Sequence, residues 1–98
     1  MNAVTKETFL TQKINNFTIF IKEKLGEDNA VYRDFVSYSK DLNSFLQAII
    51  SLRQIGSVID ETLVKKYLEL KGIKKELSAE DLKKINAYFT MFVKVINA

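Results

Sequence analysis

The fold class this sequence predicts is all-α: an antiparallel up-and-down bundle of four helices in a single domain over residues 1–98. Three observations predict it. Apolar residues recur at spacings of three and four rather than two, the chain contains no proline, and each of its three glycines follows a helix-periodic stretch. At Gly26, Gly56 and Gly72 a left-handed residue is therefore expected just past a helix end, a conformation that glycine adopts without a Cβ penalty.

The first helix runs from about Thr5 to Leu25. Leu10, Ile14, Phe17, Ile21 and Leu25 share one face, Phe9 and Phe20 widen it, and Ile19 points the other way. The run Phe17-Thr18-Ile19-Phe20-Ile21 has high β propensity and is the one place where a strand competes with the helix. From Asp28 to Ile55 the seam Val31, Phe35, Tyr38, Leu42, Phe45, Ile49 and Leu52 alternates four and three without a miss. Leu46, Ala48 and Ile50 add apolar surface beside it. The intervening Ser37, Ser39, Asp41, Asn43 and Ser44 are weak helix formers, and Ser44 with Gln47 has the spacing of a capping box. The segment thus reads as one long second helix or as two helices broken near residues 39–44.

A short third helix is capped by Asp60 and extends to about Lys71, with Ile59 stapled onto Val64. Leu63, Val64, Tyr67, Leu68 and Leu70 supply its apolar side. Gly72 ends it, and Ile73 is placed to meet Leu68 in a Schellman stop. Ser78-Ala79-Glu80-Asp81 then opens the last helix: the hydroxyl satisfies an orphan amide, the acids oppose the helix dipole, and Leu77 staples onto Leu82. Leu82, Ile85, Phe89, Phe92 and Ile96 form its seam.

Composition excludes much chemistry. With no Cys and no His there is no disulfide framework, no Cys/His zinc site, no thiol nucleophile and no imidazole base. Isolated glycines at helix ends do not make a phosphate-binding loop. Asp60-Glu61 and Glu80-Asp81 sit at helix starts, where capping explains them, and Glu23, Glu27 and Asp28 lack the alternating register of a calcium loop. No enzyme activity, cofactor or metal is expected. The opening MNAVTKET leads into no apolar stretch, and no apolar run approaches a membrane span, so a cytoplasmic location is the expectation.

Two binding readings remain. The net charge of +3 permits an acidic partner, and Lys65, Lys66, Lys71, Lys74 and Lys75 form a basic run suited to phosphate contacts. Residues 44–71 also follow the order of a helix-turn-helix, although Leu52 stands where a small residue belongs and Thr62 where a buried one does. Tyr88, Met91 and Val95, in turn, form a second apolar stripe on the last helix, which reads either as a central helix packed by several neighbours or as a contact surface beyond what a monomeric bundle requires. The leading expectation is a non-enzymatic protein-interaction module, an inhibitor, immunity or accessory factor, whose contact surface includes those three residues and meets a foreign protein or a second copy in a homodimer. Nucleic-acid binding through the lysine run is the alternative.

The layout of four short helices in a basic, cysteine-free chain resembles the cytosolic immunity proteins that protect producers of pediocin-like bacteriocins. The capped segment Leu77-Ser78-Ala79-Glu80-Asp81-Leu82 before a terminal helix is similar to patterns in small phage anti-sigma proteins. Both resemblances imply a small helical protein that acts by binding another macromolecule.

Overall fold

In a computed structural model that describes residues 3–97, the chain forms five helices: α1 (Ala3–Leu25), α2 (Ala30–Tyr38), α3 (Leu42–Ile55), α4 (Glu61–Leu70) and α5 (Ala79–Ile96). The expected count of four is corrected to five, because the long second segment is two helices. The β-rich run 17–21 lies within α1, and the described residues contain no strand.

The break between α2 and α3 comes from Asp41. Its carboxylate accepts the amides of Asn43 and Ser44 at 3.0 and 3.4 Å, and the Ser44 hydroxyl donates to it at 2.8 Å. A short acid that satisfies these amides replaces the bonds a continuous helix would have made. Asp41, in extended backbone, is thus the N-cap of α3, and Ser44 supports it instead of serving as the cap itself. The core seam survives the break: Val31, Phe35, Phe45, Ile49 and Leu52 are all buried.

The other ends follow the sequence closely. Asp60 accepts the Leu63 amide at 2.9 Å, and Ser78 Oγ accepts the Asp81 amide at 3.1 Å. At Gly72, φ is 77°, and the amides of Gly72 and Ile73 donate to the carbonyls of Glu69 and Leu68, the bond pair of a Schellman motif. Gly26 is likewise left-handed at φ 82°. Gly56 departs from expectation. Its φ of −169° is extended backbone, so no left-handed turn requires glycine there; a Cβ at this position would instead lie 3.1 Å from Leu63 Cδ1. Close approach of the α3–α4 connection to α4 is what favours the missing side chain.

One core draws on all five helices. Its centre is an aromatic cluster in which Phe17 meets Phe20, Phe35, Tyr88, Phe89 and Phe92. Phe45 joins through Phe35, Tyr38 and Phe92. The first and last helices run antiparallel along their whole length. Lys6 Nζ donates to the Ile96 carbonyl at 3.1 Å at one end, and Lys24 Nζ lies 3.6 Å from Asp81 Oδ1 at the other. Helix α3 packs against α2, α4 and α5, and α4 against α5.

Candidate functional site

Leu46, Ala48 and Ile50, the off-seam apolar residues of α3, line the two apolar surfaces of the structure. Between α2, α3 and α4 lies a cleft of about 370 Å³. Phe35 and Tyr38 contribute from α2. Phe45, Ala48, Ile49, Ser51, Leu52 and Ile55 come from α3, Tyr67, Leu70 and Lys71 from α4 and its end, and Phe89 from α5. These positions converge because α2 and α3 keep one seam across the Asp41 break while α4 folds back over α3.

Two kinds of polar group edge this cleft. Lys71 Nζ is 2.7 Å from Asp34 Oδ2, a half-buried ion pair that ties the end of α4 to α2. Tyr67 is only 8% exposed, with its ring edge-on to Phe89 at 5.1 Å. Burial holds its phenol far above the ordinary range, with Tyr38 and the Asp34 carboxylate adding to the effect, so it stays protonated. The phenol of Tyr38 is raised in the same direction, first by burial and then by Asp34.

A second apolar surface lies between α3 and α5, where Leu46, Ile49 and Ile50 face Val93 and Ile96, with Arg53, Gln54 and Asn97 at the edges. Ile50 is 53% exposed there, and Val58 and Leu70 are each 66% exposed. Leu70 was expected to pack inward with the rest of its helix, but it occupies the lip of the cleft, because Leu63, Val64, Tyr67 and Leu68 already fill the buried side of α4. From Leu42 to Ile59 Arg53 is the only charged side chain, although 28% of the whole chain is charged. Depletion of charge around exposed aliphatics is the composition of an interface core.

The stripe Tyr88, Met91 and Val95 is half-buried and packs against the core. Tyr88 stacks on the α1 side, 5.0 Å from the Phe17 ring and 6.3 Å from Phe20, and burial raises its phenol pKa. Part of the surplus apolar arc on α5 is therefore the seam with α1.

The five lysines differ in exposure and contacts. Lys65, Lys66, Lys74 and Lys75 are exposed. Lys71 is engaged by Asp34, and Lys75 Nζ donates to the Lys24 carbonyl at 2.6 Å, covering the last turn of α1. In the helix-turn-helix register Leu52 is buried and Thr62 exposed, which leaves that motif without its packing. The acids around Gly26 are likewise occupied: Glu27 pairs with Lys22 at 2.9 Å and Asp28 with Arg33 at 3.4 Å. Among the described residues no group of three or more carboxylates is placed to hold a metal ion, and no helix is long and apolar enough to cross a membrane.

No protein-family model, curated protein or solved structure matches this chain.

Proposed function

We propose that the chain is a non-enzymatic helical interaction module, an inhibitor, immunity or accessory factor that works by binding another protein. The observation that carries this reading is the weakly charged outer surface of α3, where Leu46 and Ile50 line a shallow apolar groove with Val93 and Ile96 of α5. A helix whose apolar residues continue onto its outer side gains by burying them against a partner. Tyr88, Met91 and Val95 belong to the same proposal with less surface to offer, since each is half-buried. The absence of thiol and imidazole side chains supports a binding role over a chemical one.

The nucleic-acid reading keeps Lys65, Lys66, Lys74 and Lys75 as exposed cations, Lys75 also bonding the Lys24 carbonyl at the surface, while Lys71 is engaged by Asp34. A photo-crosslinking amino acid at position 50, compared with the same group at the exposed position 15 of α1, separates the two readings in cells that express the chain. A discrete protein adduct specific to position 50 is the expected result. Adducts of equal yield at both positions, or none, would overturn the α3–α5 surface. A salt-sensitive gel shift with nucleic acid that is lost on Lys65→Glu would move the assignment to the alternative.

A further inference from the structure

We infer that the cleft between α2, α3 and α4 binds a neutral, mainly apolar small molecule that presents one hydrogen-bond acceptor to Tyr67 Oη. This site shares Ile49 with the α3–α5 groove and adds a ligand to the protein-binding role.

Its size is the first support. Protein interiors leave few voids larger than a water molecule, and ligand pockets start at roughly 300 Å³. A half-open cleft of about 370 Å³ walled by Phe35, Phe45, Leu52, Ile55 and Phe89 falls within the range of ligand pockets. Filling it with apolar matter would recover contacts that the walls now forgo.

The second support is Tyr67. Its side chain is more than nine-tenths buried and lines the cleft, yet its hydroxyl has no hydrogen-bond partner among the described residues. The hydroxyl oxygen is not sealed from solvent, so its proton is free to be donated to water or to a ligand in the cleft. Because burial keeps the phenol protonated, it arrives as a donor, and the complementary group on a ligand is an acceptor such as a ketone, ester or ether oxygen.

Charge decides between a neutral and an ionic ligand. Lys71 is the only charged residue in the lining, and its ammonium already lies 2.7 Å from Asp34 Oδ2. An anion would have to displace that carboxylate, and a cation would meet the ammonium. A neutral body with one acceptor encounters neither cost.

Prodan, a neutral naphthyl ketone whose emission shifts to the blue in apolar surroundings, provides the test with the full-length chain. Saturable binding with one molecule per chain, a blue-shifted emission and a raised urea midpoint are expected. Tyr67→Phe keeps the ring against Phe89 and should weaken binding about fivefold to tenfold, the worth of one hydrogen bond, while the blue shift persists. Ala48→Trp projects a large side chain into the cleft and should abolish binding while far-UV circular dichroism is retained. The inference is overturned by the absence of saturation up to the solubility of the dye, or by binding that neither variant alters. It is also overturned if Ala48→Trp removes the position-50 crosslink and leaves prodan binding intact, because the cleft would then belong to the protein partner. Loss of the crosslinking result alone leaves the prodan result standing.

Discussion

Replacing Phe17 by alanine tests whether the aromatic cluster is the centre of this domain. The side chain is fully buried, and its ring lies 4.4 Å from Phe35, 5.0 Å from Tyr88 and 5.8 Å from Phe89, with Phe92 and Phe20 just beyond. Phe→Ala in a core costs about 3–5 kcal/mol. Each edge or tilted ring contact adds about 0.5–1.5 kcal/mol beyond burial, though not additively, which places this site near the upper limit. A domain of this size is stable by about 5–15 kcal/mol, so the variant should lose a large part of its margin. With a urea slope of about 1–1.5 kcal/mol/M, the midpoint followed by circular dichroism should fall by roughly 3–4 M. Phe9→Ala is the control. That ring is half-buried and its only described ring partner is the Lys13 ammonium at 5.3 Å, so a loss of under about 1.5 kcal/mol is expected. A Phe17→Ala loss below about 2 kcal/mol, or one equal to that of Phe9→Ala, would refute the idea that three helices are organised on this side chain.

Other perturbations separate roles that look alike in sequence. Gly72→Ala forces a side chain into φ 77° and should cost about 1–2 kcal/mol in urea melts, whereas Gly56→Ala sits in extended backbone and should stay within about 1 kcal/mol, set by whether Leu63 yields. The Asp41 carboxyl is held below its usual range, chiefly by the Ser44 hydroxyl and then by the Ser44 amide. Its stabilising contribution is therefore complete above about pH 4 and is lost as pH falls through the depressed value; Ser44→Ala should move the carboxyl resonance midpoint upward in an NMR titration. Met91→Glu places a charge at a half-buried position packed on the core, so it should lower the urea midpoint; a folded variant of unchanged midpoint and reduced mass by light scattering would instead assign the stripe to a homodimer interface.

Residues that act locally were legible in the sequence, and residues that act by convergence were not. Asp60, Ser78 and Gly72 satisfy orphan amides or carbonyls within one turn, so their spacing to the neighbouring apolar positions carried the signal. Asn29 was missed as a cap because Asp28 beside it has equal propensity; the structure shows Asn29 accepting the Tyr32 amide at 2.9 Å while donating to the Gly26 carbonyl. The α2–α3 break was legible as one of two readings from the weak helix formers Ser37 to Ser44, and a single long helix remained open beside it because both helices keep the heptad residues facing the core. A glycine after a helix can serve for φ or for space, and only the structure shows that Gly56 serves for space. The cleft was invisible because Phe35, Leu52, Tyr67 and Phe89 come from four helices and share no spacing. Surplus apolar surface on α5 was visible, but whether α1 or a partner covers Tyr88 depends on the packing of α1, seen here in the contact with Phe17.

The attachment of α4 has a consequence for the order in which this domain opens. Helices α1, α2, α3 and α5 all place rings in the central cluster, while α4 joins it through a single ring pair, Tyr67 with Phe89. Its remaining fastenings are aliphatic, together with the Lys71–Asp34 ion pair at its end. Native-state hydrogen exchange should therefore be stratified, with α4 amides exchanging through a partial opening at a free energy below that reported by the middle of α1 and α5. That opening would unseat Tyr67 and uncover the floor at Phe89 while the other four helices remain assembled. An occupant of the cleft, held partly by Tyr67, would register first as slowed exchange in residues 63–70.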